Sequence, residues 1–567
     1  MSAGLGTVPP EQTYLDVTQG NRVFDSLYDP DLPKLKKGDC PAWRQAVTER
    51  AESAPAEIVP GLLTSTLEAA GVGVRARGGA SCTFSPGWLS NGESRSSKKL
   101  SGTPRPHHLL PDLFEVRNAT LATLSSLAAN SDLLIAIARP TGQSDDPVAI
   151  GIAGHGFDGD LTSDSTRTDG YVLSTDLAPT ILDRFGLEAP SQMSGQRIRT
   201  AGSIDPAGIE SLGARMGAIS SRRGPVIGLA IGAWLTTLIL VALFGGGRGV
   251  RPAVRVLGLS VVYLPLVLLG GAGLEAGEGS EQLLVTLGAP LLAVATLAVL
   301  DGYRALAVAS ALTVLAYAID VVAGSPLTRL SLLGPNPGLG VRFYGIGNEL
   351  EALLAVLVVA GTGAGLAGFG PRLAPRRCAA LFLALGLLCA FVFAAGGFGA
   401  DVGAAIVFPV GVAVAAVTIA GGGRRGAWLV VAAPFVVLAL LALIDLVSGA
   451  NAHLTRSVLD AGGLGSLADV AQRRLQLSAH SFVRPVLAIF LPVVAVLAVL
   501  AIVHRDRLRA WLVGYPAMRA GLLGALAATA VGTLANDSGA LLLVIGAAYL
   551  LAFTGFAWAE HGSVRNS

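Results

Sequence analysis

Three short stretches gather the side chains best suited to chemistry. VRFYGIGNELEALLAV (341–356) carries Arg342, Tyr344, Asn348, Glu349 and Glu351. GGFGADVGAAIV (396–407) sets Asp401 among glycines, and LANDSGALL (534–542) supplies Asn536, Asp537 and Ser538. A fourth, longer polar stretch holds His453, Arg456, Arg473, Arg474, His480 and Arg484. Carboxylates serve as general base or as ligand, the planar fork of arginine suits phosphate, and glycines let backbone approach a ligand closely. Asn348 and Glu351 are three apart and share a helix face. Such a set suits a pocket for a sugar or a phosphate. Glu349 and Asp401 are the candidate catalytic groups. Arg342, Tyr344, Asn348, Glu351, Arg456, Asn536 and Asp537 are the candidate binding groups, with Arg342 or Arg456 on an anionic headgroup. The plainer reading makes all of them loop residues at a membrane interface, satisfied by water and headgroups.

The elements that must position these groups are apolar. The chain has 567 residues, 52% of them hydrophobic and 14% charged, with a mean hydropathy of +0.60. Soluble domains carry about 25% charged residues. The deficit is local: residues 1–220 have an ordinary soluble composition, and 225–557 are Leu, Ala, Val and Gly with few charges. Runs long enough to cross a bilayer as helices fall at 225–246, 253–272, 282–300, 303–323, 348–369, 377–396, 403–421, 427–448, 485–503, 518–535 and 538–557, about eleven spans. The expected fold class is therefore a polytopic α-helical membrane protein with an N-terminal α/β domain.

Arginines mark one side. Arg248, Arg251 and Arg255 lie in the first connection, Arg304 in the third and Arg372, Arg376 and Arg377 in the fifth. Arg424 and Arg425 follow in the seventh, and Arg505, Arg507, Arg509 and Arg519 in the ninth. The even connections hold Glu275, Glu278 and Glu281, or Asp401, or Asn536 and Asp537. The positive-inside rule makes the odd connections cytoplasmic, so the N-terminal domain is expected outside a plasma membrane and the C-terminus inside. Arg222 and Arg223, just before the first span, argue the other way. An exported domain needs a signal, and residues 1–30 show no apolar core for one. The expectation is a signal upstream of this sequence, with translocation by the first span as the alternative. Outside, Cys40 and Cys82 could pair or stay as two free thiols. Cys378 and Cys389 lie in a span and read as core.

Within the soluble part, 1–50 and 83–110 read as loop. Residues 61–77 read as a helix turning into a strand, 116–129 as a helix, 132–138 and 148–154 as strands, and 174–187 as a helix opened by Ser-Thr-Asp. Strands alternating with helices suggest an α/β layer. Residues 450–484 form an expected outer loop, in which 454–484 reads as an amphipathic surface helix or a plain connecting helix. The net charge of +2 comes with arginines at segment ends and no basic patch, so no nucleic-acid partner is expected.

The stretch GIAGHGFDGDLTSDSTRTDGYVLSTDLAPTILDRFGLEAPSQMSGQRI (151–198) resembles the C-terminal end of the alkaline phosphatase–sulfatase superfamily, and GLLTSTLEAAGV (61–72) is similar to that family's early helix. The resemblance implies two metal ions held by Asp and His, and a Thr, Ser or modified Cys nucleophile. The chain departs from that pattern. No early hydrophobic strand ends in Asp, and Arg139 and Pro140 follow DLLIAIA where an Asp-His pair is expected. His155, Asp158, Asp160 and Asp164 are ligands by type only, and a solvated Asp/Gly loop is the expectation there. The domain is expected to be a degenerate fold used for shape or binding, with no metal or other cofactor and no phosphatase or sulfatase activity. The trio YGIGNE, Gly-rich loop with one Asp, and NDSG also resembles multi-span bacterial proteins fused to phosphatase-like ectodomains. The Ala-, Gly-, Val- and Arg-rich, lysine-poor composition resembles actinobacterial proteins.

Three function classes follow. The first is an envelope protein acting on or binding a lipid-linked or phosphorylated sugar at the outer membrane face, its partner a membrane lipid or lipid-linked saccharide. The second is a non-catalytic scaffold. The third is a transporter or flippase, which needs polar groups near the midplane. Tyr317 and Asp445 are the candidates there, with Asp320 near an end, and their scarcity ranks this class last.

Overall fold

The structure, a computed structural model, describes residues 1–35, 40–54, 56–76, 81–84, 113–140, 147–448, 475–476, 478–479, 481–483, 487 and 489–563. It divides into two compact units. One is Met1–Ala218 with Asn336–Phe343, and the other is Ile219–Pro335 with Tyr344–Ser567.

The second unit is a helical bundle. Among the described residues, nine helices are long and apolar enough to cross a membrane. They are Pro206–Phe244, Gly249–Gly273, Glu278–Val299, Tyr303–Val322, Asn348–Phe369, Pro375–Ala394, Gly426–Ile444, Pro516–Ala535 and Gly539–His561. The chain is thus a multi-pass helical membrane protein by length and composition. Two more apolar helices, Ala404–Ala420 and Phe490–Val503, are shorter. Within the run expected at 485–503, the helix Phe490–Val503 is described. Asn348–Phe369 is the central helix, buried along most of its length. Its small residues let neighbours close in: Gly363 meets Gly521 and the Ala517 carbonyl with no room for a side chain.

Contacts at the helix ends sort the connections into two groups. At one end Arg255 pairs with Glu560 at 2.6 Å, Arg304 Nε donates to the Gly368 carbonyl at 3.0 Å, and the Tyr303 and Tyr515 rings meet edge to face at 4.7 Å. These join the first, third, fifth and ninth connections and the C-terminal helix. At the other end Arg222 donates to the Ala276 carbonyl at 3.1 Å, the Ile346 N–H to Gly399 at 3.0 Å, and Ser478 Oγ to Thr533 at 2.7 Å. These join the even connections. Asp320, weighed above for transport, accepts the Leu327 and Thr328 N–H groups at 3.0 and 2.8 Å, so it closes a turn. Tyr317 donates to the Pro265 carbonyl at 3.0 Å. The side chain of Asp445 lies outside the described residues.

In the first unit the strands form three separate pairs among the described residues. β1 (Gly73–Ala76) runs parallel to β2 (Leu113–Val116). β3 (Leu133–Ile137) is antiparallel to β4 (Ile150–Gly154), and β5 (Asp160–Thr162) to β6 (Arg199–Ala201). The helix expected over 116–129 starts only at Leu121: β2 ends at Val116, residues 117–120 are irregular, and extended Thr120 is the N-cap. The Ser-Thr-Asp opening of the next helix works through Asp176. Buried, it accepts from Ser163 Oγ at 2.7 Å, Ser165 Oγ at 2.6 Å, and the N–H groups of Leu173 and Gln196 at 2.9 Å. Desolvation raises its carboxyl despite those donors.

The loop reading of 1–50 is corrected: Pro10–Gln19 and Cys40–Glu52 are helices. Pro10 at the first position and left-handed Gly20 after the last are ordinary helix punctuation. The apolar pattern hid the first helix, because beside Leu15 and Val17 it buries the polar Gln12, Thr13, Asp16, Thr18 and Gln19. Cys40 and Cys82 form a disulfide, with Cα atoms 5.2 Å apart.

Asp16 accepts from Gln12 at 2.8 Å and Gln19 at 3.1 Å. Burial, offset in part by the Gln12 amide and by Arg22 and Arg50, pushes its carboxyl up to about 7. A carboxyl raised on folding favours the fold while protonated. Its contribution is present below the unfolded value of 3.8 and is lost as pH rises to about 7, a change of up to about 4 kcal/mol. After correction for intrinsic rates, amides of Pro10–Gln19 should exchange faster at pH 8 than at pH 5 in the full chain, and Asp16→Asn should abolish the difference. Equal protection at both pH values in the parent protein would contradict this.

Candidate functional site

The three motifs meet at the even-connection end of the second unit. Gly347, in extended conformation, opens the helix Asn348–Phe369, placing Glu349 and Glu351 in its first turn. Acids are favoured there by the helix dipole. The loop before it is pinned twice, by the Gly345 N–H on Ser325 Oγ at 2.8 Å and by the Ile346 N–H on the Gly399 carbonyl at 3.0 Å. Gly345 has φ +75°, and a Cβ there would collide with Gly399, so the 344–347 and 396–400 loops can lie together only with glycine at this position.

Glu351 is fully buried. Its Oε2 accepts from Asn536 Nδ2 at 2.6 Å. Asn536, itself buried, ends the helix Pro516–Ala535. The Asp401 carboxyl lies within hydrogen-bonding reach of Glu351, and Asp401 Oδ1 accepts from the Gly403 N–H at 3.3 Å. Gly403 fits against the Glu351 carboxyl so closely that a Cβ would fall 2.7 Å from its Cδ and Oε1. Oε1 of Glu351 has no hydrogen-bond partner among the described residues. One helix start, one glycine-rich turn and one helix end thus converge on a carboxylate in the bundle interior.

The neighbouring residues take other partners. Asn348 Nδ2 reaches Asp537 Oδ1 at 3.0 Å, exposed. Asn348 and Glu351 do share a face, and both bond to the 536–537 turn. Glu349 does not join Glu351: it pairs with Arg223 at 2.7 Å, whose other nitrogen donates to the Gly334 carbonyl at 3.0 Å. Arg223, read from sequence as a topological signal, is a structural partner that the sequence reading missed. Nothing in the local pattern links it to a residue 126 positions away. Gly403 was also missed; its signal was the Asp-x-Gly spacing after Asp401. Tyr344 is half-buried at the start of the pinned loop. Arg342 belongs to the 336–343 segment of the first unit. Arg456, His453, Arg473, Arg474, His480 and Arg484, with most of the 450–484 loop, lie outside the described residues.

In the first unit, Asp164 pairs with Arg199, and Asp160 accepts the Asp205 N–H at 3.0 Å. Among the described residues no group of three or more His, Cys, Asp or Glu is placed to hold a metal ion. Comparison of the chain with family models, curated proteins and solved structures finds no match.

The arrangement can present carboxylate oxygen, amide and backbone to a polar ligand in a low-dielectric setting, where each such contact is strong. It also makes Asn536 structural. Asn536→Ala should cost about 1–3 kcal/mol by stripping a donor from a buried carboxylate. Asn348→Ala, at an exposed bond, should stay within about 0.5 kcal/mol. Thermal unfolding of the detergent-solubilised full chain reads both; equal shifts would show that the Asn536 contact is not special.

Proposed function

We propose that this chain is a plasma-membrane protein of cell-envelope metabolism that binds and acts on a lipid-linked or phosphorylated sugar at the outer membrane face. The observation that carries the reading is the convergence of three even connections on Glu351, Asp401 and Asn536. Burying an acid inside a membrane bundle is costly and is a mark of function. In this reading one carboxylate is base or ligand, and Asn348 and Asn536 orient hydroxyls. Glu349, already paired with Arg223, is the weaker candidate for base, and Asp401 the stronger.

The proposed topology has eleven passes, with the short helices Ala404–Ala420 and Phe490–Val503 counted among them, the first unit outside and the C-terminus in the cytoplasm. The arginines of the odd connections support it, as does the Cys40–Cys82 disulfide, which suits an oxidising compartment. Arg222 and Arg223 count less against it, since each is engaged within the bundle, by the Ala276 carbonyl and by Glu349. The first unit is proposed as a phosphatase-like domain serving for binding. The Asp164–Arg199 pair and the Asp160–Asp205 bond support a structural role for its Asp-rich loop.

A scaffold without catalysis is the second reading, favoured by the engagement of Glu349, Asn348 and Asn536 in internal bonds. The experiment compares the parent chain with Glu351→Gln and Asp401→Asn, each carrying a C-terminal cytoplasm-active reporter. Capture of a photoactivatable lipid-linked saccharide should fall at least tenfold in both variants while the reporter stays active. Unchanged capture together with unchanged envelope growth phenotypes would make the cluster structural. An inactive reporter on a C-terminus accessible from outside would overturn the topology.

A further inference from the structure

The arginines at the odd-connection end fall into two groups. Arg255 and Arg304 turn into the bundle, onto Glu560 and the Gly368 carbonyl. Arg377, Arg505, Arg507 and Arg519 are exposed and have no side-chain partner among the described residues. Their place on the helices is regular. In Pro375–Ala394, Arg377 heads an exposed stripe of Leu381, Leu385 and Leu388, while Phe382, Gly386 and Ala390 are buried. In Pro516–Ala535, Arg519 heads exposed Leu523, Leu526 and Leu534. The spacing puts each set on one helix face. The helix Phe490–Val503 buries none of its residues, and Arg505 and Arg507 follow its end directly, in the short helix Arg505–Trp511.

In a bilayer, the exposed leucines of a helical bundle meet acyl chains. A charge at the head of such a stripe lies at the depth of the headgroups. Helical side chains lean toward the N-terminus, which for Arg377 and Arg519, near the starts of their helices, carries the guanidinium away from hydrocarbon. The positive-inside rule concerns which end of a helix is basic; here the face is fixed as well, and it is the lipid-facing one. Asp506, the acid within the short helix, is taken by Arg509 at 3.3 Å, so Arg505 and Arg507 stay uncompensated.

We propose that Arg377, Arg505, Arg507 and Arg519 form a belt that binds the phosphates of anionic phospholipids at the odd-connection end. The planar guanidinium meets a phosphate through two parallel hydrogen bonds, and basic residues at a membrane surface favour anionic over zwitterionic lipid. A soluble partner has no need of arginines in line with lipid-facing leucines, and a lipid does. The belt lies at the opposite end of the helices from Glu351 and does not depend on the sugar reading.

The test reconstitutes the full-length protein in phosphatidylcholine vesicles and adds traces of spin-labelled phosphatidylglycerol or spin-labelled phosphatidylcholine. Electron paramagnetic resonance reads how much of each label the protein immobilises. The parent chain should prefer the anionic label at least threefold, and the preference should fall as salt screens the contact. Arg377→Gln, Arg505→Gln, Arg507→Gln and Arg519→Gln combined should bring it near parity, whereas Arg→Lys at the same four positions should retain most of it. Should the glutamine variant fail to fold, the salt series on the parent chain decides alone. Equal immobilisation of both labels by the parent chain, a preference indifferent to salt, one untouched by the glutamine substitutions, or one lost as fully with lysine would overturn the proposal.

Discussion

A buried carboxylate at a helix start is the constraint around which the membrane unit is arranged. An ion taken out of water without compensation costs several kcal/mol, so the chain around Glu351 must bring polar groups to it. Asn536 does so from the end of one helix. Asp401 and Gly403 do so from a turn that must stay thin. That turn is held in place by the loop before Asn348, through the Ile346–Gly399 bond. The helix Asn348–Phe369 can therefore be buried along most of its length, because its two acids, Glu349 and Glu351, both lie in its first turn.

The pairing of Arg223 with Glu349 shows how charge is divided in this region. Two acids two residues apart on one helix start point to different neighbours. One receives a guanidinium in a half-buried setting, and the other receives an amide and a second acid in a buried one. The first arrangement is complete in itself. The second is where a ligand has something to add.

Much of this was legible in the sequence, for a physical reason. In a segment of Leu, Ala and Val, a Glu, an Asp or an Asn-Asp pair is conspicuous, since the membrane admits it only at a cost. That contrast singled out Glu349, Glu351, Asp401, Asn536 and Asp537 together, without separating Glu351 from Glu349, and the three-residue spacing put Asn348 and Glu351 on one face. Periodicity and length placed the long apolar helices for the same reason. What escaped was long-range or inverted. Arg223 looked like a flanking charge because its partner is distant in sequence. The first helix of the chain was read as loop because only Leu15 and Val17 are apolar among the residues it buries, the rest being polar like Gln12, Asp16 and Gln19, too few to mark a helix face. The 336–343 segment, which includes Arg342, belongs to the first unit, where Arg22 donates to the Gly340 carbonyl at 2.6 Å. No local signal announces such a return of the chain.

The central claim is that the start of one membrane helix and the turn between two others form a single site. Cysteine cross-linking tests it most directly, at the exposed bond beside the buried cluster. Asn348→Cys with Asp537→Cys in the full-length protein, oxidised in native membranes, should give a disulfide detectable in a linked peptide, as the 3.0 Å contact between those side chains requires. Asn348→Cys with Glu278→Cys should give none. Absence of the first link, with both cysteines shown to react singly, would contradict the convergence on which the account rests.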